Sequence, residues 1–243
     1  MAWFLTKPFL YKTKYNTSMK SYASRSAVSL LIALCFLMLF SSCKKNDPNG
    51  VVKGETKVKM VNAAITEVPQ NIYADNVMVS LAPIAFSETT DYIKLASGSR
   101  VLRFSGDNGM QTERTMAYTP AITYTTFLIA DRQGIRDLLS FEDNLSNTES
   151  GKAKIKLINL TPYFATGINV SVQAGTQFVN GLAYKQASAY FAVEPGINLR
   201  YNVVGGGNAK TLDGTAMEAG KIYTIWFSGT TAATLEAHII TDN

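Results

Sequence analysis

Histidine and cysteine are nearly absent from this 243-residue chain, which has one histidine, His238, and two cysteines, Cys35 and Cys43. Downstream of Cys43 no thiol remains for a disulfide, a cysteine-ligated zinc or a nucleophile. A catalytic triad needs a base, an orienting acid and a nucleophile together. A lone His238, in the alternating stretch Leu235–Ile240, reads instead as a satisfied or solvent-facing strand residue. Phosphate-loop chemistry is missing too. Gly205-Gly206-Gly207 has no Lys-Ser/Thr in the required place, and Gly214–Lys221 is followed by Ile222 where magnesium would need a hydroxyl. No stretch keeps a helical period for three turns. Asp131–Ser140 could form a short helical turn at most, with Gly134 interrupting it. These absences leave no catalytic residue, cofactor or metal site to expect.

The excess of positive charge is confined to the N-terminus. The chain carries 23 basic and 18 acidic residues, a net charge of +5. Lys7, Lys12, Lys14, Lys20 and Arg25 all precede Cys43, and removing them leaves 18 basic against 18 acidic residues. A neutral remainder gives no argument for nucleic acid as a partner.

What the N-terminus does contain is an address. Ala27–Phe40 reads AVSLLIALCFLMLF, apolar apart from Ser29. It is shorter than the roughly 20 residues of a membrane-spanning helix and fits the apolar region of a secretory signal. Lys20 and Arg25 precede it; Ser41-Ser42-Cys43 follow. Small residues before a cysteine at that point resemble the lipobox of bacterial lipoproteins. The resemblance implies cleavage before Cys43, lipid on its sulfur, and a membrane as a partner through that anchor. An uncleaved anchor, or a plain signal with an incidental cysteine, are the alternatives. Residues 1–42 are thus expected to be a signal peptide. Met19 begins a more conventional one, which makes residues 1–18 either a misassigned start or a long basic region. Residues 43–55, polar and containing Asp47-Pro48-Asn49-Gly50, read as a flexible tether. Lys44-Lys45-Asn46-Asp47 loosely resembles the surface-export signals of some gram-negative lipoproteins, so the expected location is the outer membrane or cell surface.

The rest of the chain is written twice. Lys57–Asn62, KVKMVN, matches Lys154–Asn159, KIKLIN, at an offset of 97. Phe86, Tyr92 and Gly98 match Tyr184, Tyr190 and Gly196 at 98, and Tyr124–Asp131 matches Tyr223–Thr230 at 99. One slowly drifting offset over three blocks indicates an internal duplication, too long and too few in copies for a solenoid. Two domains of about 90 residues each are expected, at 56–145 and 152–243. Ile168, Val170 and Val172 alternate with Asn169 and Ser171, as a strand with one buried face does. Ile122–Ala130 and Ile222–Phe227 are rich in Thr, Tyr, Ile and Phe, which suit a half-buried pleated surface. Pro195-Gly196 meets the demands of a type II turn. The expected fold class is all-β, with two tandem immunoglobulin-like or transthyretin-like β-sandwich domains made of antiparallel sheets. FEDNLSNTESG, within Leu138–Lys152, reads as the linker, or as a last edge strand and then the linker. Its acids Glu142, Asp143 and Glu149 fit a solvated linker better than a calcium loop.

The openings KVKMVNAA and KIKLINLTP, the strand NIYADN, the Phe86…Tyr92…Gly98 spacing with its repeat and the closing YTIWFSG resemble the family called domain of unknown function 4397. That family is known from secreted and surface proteins of bacteria. The resemblance spans roughly residues 56–240. It implies a fold and supplies no catalytic residues. Its second strand commonly leads into an Asp-Gly turn. Here Asp75-Asn76 and Gln173-Ala174-Gly175 stand there.

Aromatic residues remain as the candidates for binding. Tyr92, Tyr190 and Tyr223 recur between repeats, which favours a core role with the hydroxyl satisfied at a sandwich edge. Tyr73, Tyr163, Phe164, Phe191 and Trp226 do not recur. Tyr163-Phe164 follows Thr161-Pro162 in an expected loop. There it could stack on a glycan or dock an envelope protein, or it could pack between the domains. The function expected from all this is a non-enzymatic, envelope-anchored interaction or spacer module. A carbohydrate-binding surface module is the alternative.

Overall fold

The computed structural model describes residues 54–243 except 66–67, 147–148 and 174. The expected signal peptide, Cys43 and all but the end of the expected tether lie outside the described residues.

The chain forms β1 (Glu55–Asn62), β2 (Gln70–Ala74), β3 (Val77–Met78), β4 (Ile93–Ala96), β5 (Gly98–Gly106), β6 (Gln111–Tyr118), β7 (Thr123–Ala130) and β8 (Arg136–Asp143). It continues with β9 (Ala153–Asn159), β10 (Ile168–Val172), β11 (Gln177–Leu182), β12 (Ala187–Val193), β13 (Leu199–Val203), β14 (Lys210–Leu212), β15 (Ile222–Ser228) and β16 (Glu236–Thr241). The first sandwich pairs sheet β3-β2-β5-β6 with sheet β4-β1-β7-β8. The second pairs β11-β10-β13-β14 with β12-β9-β15-β16. Adding eight to each strand number of the first gives the second. The fold is therefore two tandem β-sandwiches of one topology.

Local chemistry explains the turns. Asp75 and Asn76 have φ of 48° and 68°, the double positive φ of a type I′ hairpin turn that Asn and Asp tolerate. Gly196 has φ of 71° and the Ile197 amide donates back to the Glu194 carbonyl, as the Pro195-Gly196 pair required. The Gly205–Gly207 run is the turn between β13 and β14. Asp131–Ser140 departs from its expectation. The Asp131 carboxylate accepts from the amides of Gln133 and Ile135, closing a tight turn, and β8 starts at Arg136. A short side chain that caps its own turn competes with helix.

The sheets are not wholly antiparallel, as had been expected. β1 runs parallel to β7, and β9 parallel to β15. The reason is connectivity. After β1 the chain crosses to the other sheet, returns for β4, and crosses again through β5 and β6 before β7, so no hairpin joins β1 to β7 and forces an antiparallel pair.

Those central strands are also buried on both faces, not one. Along β1, Val58 and Met60 enter the first core, while Val61 points the other way. Along β15, Tyr223, Ile225 and Phe227 enter the second core, and Trp226 points away. The outward residues meet in a third core. It contains Val61, Ala63, Phe127, Ile129, Ile158, Leu160, Trp226 and Ile240. The two sandwiches thus pack sheet against sheet, and a strand with no solvent face reads as a continuous apolar run. Full burial of a large apolar side chain is worth roughly 1.5–3 kcal/mol. Phe127, Ile129, Ile158 and Trp226 alone match a domain's net stability of about 5–15 kcal/mol.

Asn62 and Asn159, the matched ends of the opening strands, are fully buried. Asn159 Nδ2 donates to the Leu182 carbonyl at 2.8 Å, and its Oδ1 accepts from the Thr161 amide at 2.9 Å. Asn62 makes the same pair of bonds to Ile84 and Ala64. Each asparagine ties its strand's end to the following crossover. Asn159→Ala strips two buried backbone groups of partners, each worth about 1–3 kcal/mol. Denaturant unfolding should show a loss of roughly 2–4 kcal/mol.

Candidate functional site

The densest cluster of buried titratable groups lies in the seam between the sandwiches. Alternation along a strand sends successive side chains to opposite faces, so Lys59 of β1 and Lys156 of β9 point into the seam from opposite sides. Lys59 Nζ lies 3.2 Å from Asp242 Oδ1, just beyond β16 of the other sandwich. Lys156 Nζ lies 2.6 Å from Asp143 Oδ1, at the end of β8 of the other sandwich. The lysine side chains are 6% and 3% exposed and both aspartates 0%. Each lysine also donates to a backbone carbonyl, Lys59 to Thr241 and Lys156 to Glu142. Each aspartate's other oxygen accepts from a threonine of its own sandwich, Thr125 on Asp143 and Thr224 on Asp242, both at 2.7 Å. In the sequence these residues stand at the repeat offsets of 97 and 99. The contact is isologous within one chain: each copy gives a lysine and takes one.

Two tyrosines complete the box. Tyr92 donates to Asp143 Oδ2 at 2.9 Å and lies under Lys59, with Nζ 4.4 Å from the ring centroid. Tyr190, its repeat mate, accepts from the Asn144 amide and faces both Lys154 and Lys156. These recurring tyrosines serve the seam and not a sandwich core. Tyr223 does meet the core expectation. Its hydroxyl donates to the Ala216 carbonyl and accepts from the Glu218 amide.

The electrostatics follow from burial. Burial raises the Asp242 pKa from its ordinary value, and the Asp143 charge adds to this, against the pull of Lys59 and the Thr224 hydroxyl. Burial would lower that of Lys156, but the Asp143 charge and the tyrosine outweigh it, and the net shift is upward. Burial and the charges of Asp143 and Asp242 push the Tyr92 hydroxyl well above its usual range.

At the other end of the seam the loops before β4 and β12 act as arms. Phe86 reaches across to pack edge-on against Trp226 and His238, at 6.0 and 5.5 Å. Tyr184, its repeat mate, reaches back toward the Ala130 carbonyl. His238 stacks on Trp226 at 4.0 Å and its Nε2 lies 2.8 Å from Ser228 Oγ, so the lone histidine is the satisfied kind. Trp226, grouped with the freer aromatics, is fully buried. Its repeat counterpart Phe127 sits 6.2 Å from it, ring to ring.

The remaining candidates are scattered. Tyr163 is 37% exposed, whereas Phe164 packs on the second core. They form no shared platform, and their loop is held by Arg132 donating to the Pro162 carbonyl. Phe191 stacks on Phe178, and Tyr73 lies under Arg103. Asp143 overturns the solvated-linker reading of its stretch: a polar neighbourhood in sequence hid a carboxylate buried by Lys156. The signal for the site was present in KVKMVN and KIKLIN, where a lysine interrupts an apolar strand at the same point in both copies. Among the described residues, no group of three or more His, Cys, Asp or Glu side chains could hold a metal ion.

The architecture defines a tandem β-sandwich protein with an internal, reciprocal interface. Residues 56–166, the first sandwich with the opening of the second, match the family described as Domain of unknown function (DUF4397). No curated protein matches the chain.

Lys156→Met strands Asp143 as an unpaired buried charge and should cost about 3–5 kcal/mol, whereas Lys156→Met with Asp143→Leu should recover most of it. A double-mutant cycle by denaturant unfolding measures this. Equal losses in the single and double variants would contradict the pairing.

Proposed function

We propose that the protein is a non-enzymatic envelope lipoprotein whose sandwiches form a rigid spacer and interaction body, held to the outer membrane or cell surface through lipid on Cys43. The observation that carries this reading is the N-terminal order of Lys20 and Arg25, the apolar run Ala27–Phe40, and Ser41-Ser42-Cys43. One acyl chain binds a membrane marginally, while two or more hold it stably. The seam supports the non-enzymatic part. Its buried acids and lysines are occupied with one another. The interaction role draws on the first sandwich's edge. There Val77, Met78 and Leu81 are exposed beside an apolar pocket of about 260 Å³ lined by Val79, Ile84 and Ile93. Exposed apolar groups gathered at one edge suit a protein partner. A glycan-binding role has Tyr163 as its only support, since Phe164 is turned inward.

Cys43→Ala is the direct test. Labelled fatty acid should no longer enter the protein, and the protein should move from the membrane to the soluble fraction. Unchanged labelling would remove the anchor from this account.

A further inference from the structure

We propose that Lys59 and Asp242 condense into an intramolecular amide, a covalent cross-link between the first strand of one sandwich and the end of the other. The two residues are 183 positions apart, yet the fold places the amine 3.2 Å from one carboxyl oxygen with both side chains out of solvent. Holding reactants in contact replaces a bimolecular encounter with a local step.

The surroundings suit the chemistry. The second oxygen of Asp242 accepts a hydrogen bond from the Thr224 hydroxyl at 2.7 Å, a donor aimed where negative charge gathers when an amine adds to the carbon. Lys59 Nζ already touches the Thr241 carbonyl at 2.6 Å, so the product's N–H has an acceptor waiting. A buried ion pair keeps a desolvation cost that a neutral amide does not have.

The step balances without any co-reactant. The ammonium passes one proton to the paired carboxylate, giving amine and acid. The Lys59 nitrogen adds to Asp242 Cγ, and a C–N bond forms. The former acid hydroxyl leaves with a second proton from nitrogen, so a C–O bond breaks and one water is released. One hydrogen stays on the amide.

The repeat-related pair is the contrast. Asp143 has hydroxyls from both Thr125 and Tyr92 on one oxygen and the Lys156 ammonium on the other. This donor set engages both carboxylate oxygens, and the pKa of its lysine is raised. Asp242 has a single hydroxyl, and burial favours its neutral form. Neighbouring acids whose environments differ in this way take different chemical roles. Condensation is therefore assigned to Lys59 and Asp242, and Lys156 with Asp143 remains an ion pair.

Peptide mass spectrometry on the purified full-length chain tests this. Trypsin should leave a linked pair holding Lys59 and Asp242, lighter than the two free peptides by one water, with no cleavage after Lys59. Lys59→Arg and Asp242→Ala should each abolish the linked pair. If those variants fail to fold, Asp242→Asn preserves the shape and should give the same linked product through loss of ammonia. Recovery of both wild-type peptides unlinked, or a link at Lys156 and Asp143 instead, would overturn the assignment.

Discussion

A lysine buried between two β-sheets is tolerable only if a carboxylate meets it, and here neither sandwich supplies its own. Lys59 finds Asp242, and Lys156 finds Asp143, each across the seam. Breaking the Lys156–Asp143 pair leaves a buried charge, whose cost approaches the net stability of a domain. The other features fall into place around this exchange. The parallel β1–β7 and β9–β15 pairs lie at the middle of the sheets that meet. Phe127 and Trp226 touch because equivalent positions converge where two copies face each other. The Phe86 and Tyr184 arms extend the contact in both directions.

Much of the fold was legible in the sequence. The strands, the class and the doubled plan followed from alternation and from the repeated blocks. Asp75-Asn76 and Pro195-Gly196 announced their turns because the backbone there needs a particular φ. The seam was not legible, and the reason is physical. Periodicity reports that a face is apolar, not what covers it, so Thr123–Ala130 looked like a half-buried strand when both its faces are covered. The same limit hid the parallel pairing, since strand direction depends on the route of the chain. Asp143 was misread because composition averages over neighbours. Glu142 and Asn144 flank it, and only Asp143 turns toward Lys156.

The distribution of polar groups has a consequence for function. The ionisable side chains that burial perturbs most are spent on joining two halves, which leaves the outer surface to carry any recognition. The apolar edge at Val77, Met78 and Leu81 belongs to the first sandwich alone. On the second, β11 extends over six residues and Phe178 packs against Phe191. Two copies of one fold have thus diverged at their edges while keeping a reciprocal seam.

The central claim is that the seam makes the two sandwiches a single cooperative unit. Scanning calorimetry of the chain tests it most directly. One transition should appear, with calorimetric and van't Hoff enthalpies equal, as a two-state unit requires. Two separable transitions, one for each sandwich, would contradict it.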